Sequence, residues 1–84
     1  MTQPEITYFT APWCSPCKTL LPKVRHFAEV EGLPLHVVDV EGDPWHVPPD
    51  VKGVPTIQVA VGGELVAHLG PAMASIPTLR KALT

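Results

Sequence analysis

The chain has 84 residues, 45% hydrophobic and 17% charged, with eleven prolines, two cysteines and a net charge of −2. That length suits one small domain, residues 1–84, burying roughly 60% of the unfolded chain's surface. The balance excludes a disordered segment, leaves no basic stripe for nucleic acid, and contains no apolar run near the roughly 18 residues of a membrane span. The prolines stand singly between apolar runs, with only Pro48-Pro49 adjacent, so they mark element ends and not low complexity. Met1-Thr2-Gln3-Pro4-Glu5 lacks the basic and apolar regions of a signal peptide, which makes the cytoplasm the expected location. In a reducing compartment, two closely spaced cysteines point to catalysis or metal binding more than to a structural bridge.

In chain order, Ile6-Thr7-Tyr8-Phe9 reads as a strand, broken by Ala11-Pro12-Trp13. From Ser15 to Glu31 the apolar residues Leu20, Leu21, Val24, Phe27 and Ala28 recur at spacings of three and four, which predicts a helix. Gly32 stands at its C′ position, with Pro34 beyond. Leu35 to Val40 is nearly continuously apolar and reads as a strand buried on both faces. Between Glu41 and Val54, Asp43-Pro44 looks like an N-cap and first helical residue, but Pro48 and Pro49 limit any helix to one turn. Thr56 to Val61 alternates with period two, Gly62-Gly63 signals a hairpin, and Glu64 to Leu69 returns as its partner. Ser75 caps a last helix carrying Ile76, Leu79 and Leu83 on one face. The fold class is therefore α/β: β-α-β, then β-β-α, with a four-stranded mixed sheet flanked by helices.

The chemistry sits at Trp13-Cys14-Ser15-Pro16-Cys17. Two intervening residues place the cysteines one helical turn apart, on one face and within reach of a disulfide. A helix start carries unpaired N–H groups and the positive end of the macrodipole, and cysteines in such settings ionise at about 3.5–7.5. Cys14 is the expected attacking thiolate. Cys17, deeper in the first turn, would resolve the mixed disulfide. Pro16 suits a first turn, and Trp13 can flank the sulfur and shield it from water. Zinc is the competing use of such a pair, with His26, His36, His46 and His68 available. These lie ten, ten and twenty-two residues apart and do not complete a structural zinc set. A permanently structural bridge would close too short a loop to constrain the unfolded chain much.

The stretch Tyr8-Phe9-Thr10-Ala11-Pro12-Trp13-Cys14-Ser15-Pro16-Cys17-Lys18 resembles the active-site segment of the thioredoxin superfamily, with Ser15 where thioredoxin carries glycine. Pro22 matches the family's helix-kinking proline. Gly53-Val54-Pro55-Thr56 resembles its second signature, and Gly63-Glu64 and Gly70 also correspond. The resemblance implies a cis Val54–Pro55 bond against the Cys14 sulfur, with the main chain of Val54 free to pair with an extended substrate. Thioredoxins begin with a further strand and helix that have no counterpart here, which gives the chain a glutaredoxin's size. The family's buried acid six residues before the first cysteine is replaced by Tyr8, and its lysine partner by a residue near Val37. Glutaredoxins place a glutathione-binding lysine where this chain has Ala11.

Together these readings lead to a protein-disulfide reductase acting through Cys14 and Cys17, needing no cofactor beyond its own redox-active disulfide. Its docking surface would be Trp13, Ser15, Pro16, Val54, Pro55 and Gly70, with Tyr8, Pro22 and Thr56 supporting the site. A flavoprotein disulfide reductase is the expected electron donor, with glutathione as the alternative. The protein is expected to be a monomer with no nucleic-acid or membrane partner. A glutaredoxin-type reductase and a non-catalytic redox-fold binding module are the competing functions.

Overall fold

A computed structural model of the protein describes residues 3–83; Met1, Thr2 and Thr84 of the expected domain lie outside the described residues. The elements follow the predicted order: β1 (Pro4–Thr10), α1 (Ser15–Glu31), β2 (Leu35–Asp39), a 3₁₀ turn (Pro44–His46), β3 (Thr56–Val61), β4 (Glu64–Leu69) and α2 (Ile76–Ala82). The four strands form one mixed sheet in the order β2-β1-β3-β4. β1 runs parallel to β2, with Tyr8 opposite Val37, and antiparallel to β3, with Tyr8 opposite Ile57. The β3–β4 hairpin turns at Gly62 and Gly63, at φ 61° and 83°. Two successive positive φ values are what a two-residue turn of matching twist needs, and glycine adopts them without steric cost.

Why α1 is helical is visible in its two ends and one face. It closes at Gly32 in the left-handed region, φ 67°, where the Gly32 N–H reaches the Glu29 carbonyl at 3.2 Å and the Leu33 N–H reaches Ala28 at 2.9 Å. Its buried side is Cys17, Val24, Phe27 and Ala28. That side meets Ile6, Tyr8, Ile57 and Val59 on the sheet, and Leu79 of α2 completes the core. Fully burying a side chain such as Ile57 or Leu79 contributes about 1.5–3 kcal/mol. Ser75 caps α2 as its sequence suggests, its hydroxyl accepting from the Thr78 N–H at 3.3 Å.

Two expectations are corrected. β2 is not buried on both faces: among the described residues it is an edge strand paired with β1 alone, and His36 and Val37 are exposed. An edge strand has one neighbour to cover it, and an apolar run reports β propensity without reporting sheet order. Asp43 precedes the 3₁₀ turn but makes no side-chain cap bond; its main-chain carbonyl accepts from His46 N–H at 3.0 Å instead. A single tight turn is closed by that bond alone.

On the sheet face away from the core, Gln58 is a buried polar residue. Its amide donates to the Asp50 carboxylate at 3.2 Å and lies 3.1 Å from Nδ1 of His68. This ties the irregular segment ahead of β3 to the sheet. Among the described residues, no helix is long and apolar enough to cross a membrane.

Candidate active site

The parallel side of the sheet delivers the end of β1 to the start of α1. The turn Ala11-Pro12-Trp13 is closed by Cys14 N–H on the Ala11 carbonyl at 3.1 Å. Cys14 then occupies the N-cap of α1 in extended backbone, φ −91°, ψ 101°. Its Sγ accepts the Cys17 N–H at 3.2 Å, the place an N-cap oxygen would take. Pro16 in the first turn needs no acceptor for a missing donor, and no acidic residue stands in that turn to oppose a negative sulfur. A sulfur at this N-cap faces the positive end of the helix dipole.

Cys14 and Cys17 form a disulfide with Cα atoms 5.2 Å apart. Cys14 is 4% exposed and Cys17 is fully buried, so Cys14 is the outer member of the pair.

Tyr8 lies directly under the site. It is fully buried on β1, and its hydroxyl donates to the Cys17 carbonyl at 2.8 Å. Burial holds the phenol neutral, raising its pKa to about 12. Pro22, inside α1, has no N–H for the Lys18 carbonyl, so Tyr8 braces the helix one residue before the carbonyl that loses its donor.

The second signature approaches from the other side. The Val54–Pro55 peptide bond is cis. Thr56, fully buried, donates its hydroxyl to the Gly53 carbonyl at 2.5 Å and closes the loop around that bond. A Cβ on Gly53 would stand 3.1 Å from the Pro71 ring, so this loop and the one after β4 pack closely here.

Most of the expected docking residues converge. Ser15, Pro16, Val54 and Pro55 line a cleft of about 610 Å³, with Pro71 on its far wall. Trp13 and Val54 line a second cleft of about 230 Å³, on the side of Val47, Val51 and Lys52. Val54 therefore borders both. Pro55 itself is buried, and Gly70 is half-buried, opening the turn closed by Met73 N–H on its carbonyl at 2.9 Å.

Two site residues escaped the sequence reading. The Trp13 indole N–H donates to the Glu41 carboxylate, 28 residues away. Asp39 sets up Glu41: its Oδ1 accepts from the main-chain N–H of Glu41 at 2.9 Å and of Gly42 at 3.1 Å. The local signal was an aspartate two and three residues ahead of Glu41-Gly42, the pattern of an Asx turn. Among the described residues, no group of three or more His, Cys, Asp or Glu side chains is placed to hold a metal ion.

Comparison with known proteins agrees with this geometry. Residues 1–82 match the family model described as Thioredoxin. A thioredoxin-like protein of Synechocystis is 35% identical over 68 residues, covering 77% of this chain and 62% of that protein. Thioredoxin 1 of Chlorobaculum tepidum is 37% identical over 68 residues, covering 74% and 64%. This chain thus spans less than two thirds of the length of either curated relative. The structure of thioredoxin 1 from Thermosipho africanus superposes with a TM-score of 0.84 at 28% identity, covering 93% of this chain and 88% of that one. With both cysteines at a helix start, a matching fold and a family model that covers nearly all its residues, the chain belongs to the thioredoxin family.

Proposed function

We propose that the protein is a thiol–disulfide oxidoreductase that reduces protein disulfides through Cys14 and Cys17. The observation that carries this reading is the Cys14 sulfur, at the N-cap of α1 and bonded to a fully buried Cys17. Cys14 attacks a substrate disulfide as the thiolate, forming a mixed disulfide and releasing one substrate thiolate. Cys17 then attacks Cys14 Sγ, restoring the Cys14–Cys17 bridge and releasing the second. The cycle moves two electrons and uses no other cofactor.

Substrate docks as an extended segment across Trp13, Ser15, Pro16 and Val54, with Pro55 and Gly70 shaping the loops beneath. The clefts beside Val54 support this reading, since they leave room on both sides of a bound chain. The protein works as a monomer, because one chain supplies both sulfurs. A cytoplasmic location fits a reductase, which needs a compartment that keeps its dithiol reduced.

A flavoprotein disulfide reductase with NADPH is the proposed electron donor. Ala11, where a glutathione-binding cation would stand, is buried and apolar. The test is reduction of insulin disulfides with each donor supplied in turn. Turnover with NADPH and a thioredoxin reductase is expected. Faster turnover with glutathione would reverse the donor assignment, and none with either donor or with dithiothreitol would remove the reductase function.

A further inference from the structure

The resolving step has a proton to dispose of. Cys17 is a thiol inside the core, and it must become a nucleophile to attack Cys14. The core around it contains Ile6, Ala11, Val24, Ile57, Val59 and further apolar residues. Among the described residues, the buried titratable side chains are Tyr8 on β1 and Cys14 and Cys17 at the start of α1. Lys18, the next residue of α1, is exposed. The buried polar residues among those described are Thr56 and Gln58, neither of which titrates. Among the described residues no interior carboxylate or imidazole is therefore in place to take the proton, and the Tyr8 hydroxyl is committed as a donor to the Cys17 carbonyl at 2.8 Å.

We propose that Tyr8 is a positioning residue for the second half-reaction: its hydroxyl pins Cys17 to β1, keeping Sγ aimed at Cys14 while the bridge is open. The proton of Cys17 leaves outward, with no base inside the protein. This rests on the dithiol reading above. In the step, the Cys17 Sγ–Cys14 Sγ bond forms and the bond from Cys14 Sγ to the substrate sulfur breaks. The electron pair departs on the substrate thiolate, and the Cys17 proton passes to that thiolate or to water. The pin acts beside a gap in the hydrogen bonding of α1. Pro22 removes the helical donor to Lys18, and the Tyr8 bond holds the preceding carbonyl. A net hydrogen bond of ordinary strength corresponds to about a fivefold change in the population of the aligned thiol.

The test uses reduced protein and 5,5′-dithiobis(2-nitrobenzoate) in a stopped-flow spectrophotometer. The first thionitrobenzoate is released by Cys14 and the second by Cys17. In Tyr8→Phe the first phase is expected to match the wild type, while the second slows about fivefold at every pH without changing the shape of its pH profile. An unchanged second phase overturns the proposal. So does a displaced inflection in its pH profile, since the hydroxyl would then be handling the proton. Tyr8 is the one tyrosine of the chain, so biosynthetic 3-fluorotyrosine modifies it alone and keeps the hydroxyl. That protein should keep a second phase at least as fast as the wild type; slowing as large as in Tyr8→Phe overturns the pin even if Tyr8→Phe folds poorly. Wild-type protein that releases no second thionitrobenzoate refutes the dithiol reading itself, a result separate from any behaviour of the variants.

Discussion

Trp13 and Glu41 are joined across the mouth of the site, the indole N–H donating to a carboxylate 28 residues away in sequence. Trp13 is 64% exposed, so packing alone does not hold its ring. The bond fixes the ring as a wall of the smaller cleft, and Asp39 in turn fixes the main chain at Glu41. Trp13 thereby links the loop after β2 to the active-site turn.

Glu41→Ala should release the indole and lower kcat/KM for a protein disulfide by about two- to fivefold, the range of one partly exposed hydrogen bond. The loss should fall mainly on KM, because the sulfurs are untouched. Insulin-reduction kinetics measure it, and the Trp13 contribution to the fluorescence spectrum should change with it. Equal KM values for the two proteins would mean that the indole is positioned by something else.

The two cysteines should fail differently. Cys14→Ser removes the attacking sulfur and should cut turnover at least about a hundredfold, as loss of a covalent nucleophile does. Cys17→Ser leaves attack intact but removes resolution, so it should accumulate a mixed disulfide with substrate. Mass spectrometry after acid quenching reads the adduct. Adduct on Cys14→Ser and none on Cys17→Ser would exchange the two roles.

Tyr8 gives the protein an alkaline limit. Its pKa is near 10 in the unfolded chain and about 12 in the folded one. Between those values the unfolded state has lost the proton and the folded state retains it, so stability falls as pH rises from 10 to 12. Well below pH 10 both states hold the proton and stability no longer depends on it. The full loss is about 2–3 kcal/mol, reached above pH 12. As the one tyrosine present, Tyr8 can be titrated directly by phenolate absorbance. Urea unfolding at pH 9 and pH 11 should show the lower midpoint at pH 11, and Tyr8→Phe should show less of that fall.

Thr56→Val keeps the buried shape but removes the hydroxyl that donates to the Gly53 carbonyl. It should cost about 1 kcal/mol in stability, the typical net value of such a bond. It should also lower activity, because the loop carrying Val54 loses its closing contact. Thermal unfolding and insulin reduction measured together check both effects. A variant as stable and as active as the wild type would show that the cis Val54–Pro55 loop is held by packing alone.

Much of this molecule can be read locally. Spacings of three and four marked α1, Gly32 marked its end, Gly62-Gly63 marked the hairpin, and Ser75 marked the start of α2. Each signal lies within one element, where backbone propensity and side-chain periodicity act over a few residues. Cys14 and Cys17 were legible for the same reason, since one helical turn determines their distance.

What stayed hidden depends on residues far apart in the chain. The apolar run at Leu35–Val40 could not reveal that β2 lies at the sheet edge, because strand order follows from crossover and pairing, not from composition. Tyr8 could be recognised as a replacement for an acid, but its bond to the Cys17 carbonyl exists only because β1 runs beneath α1. Trp13 with Glu41, and Gln58 with Asp50 and His68, likewise meet only after the sheet has assembled. Local chemistry decided which residues could react. Tertiary packing decided which side chains hold them in place, because only the folded sheet brings donors and acceptors from distant segments within hydrogen-bond range.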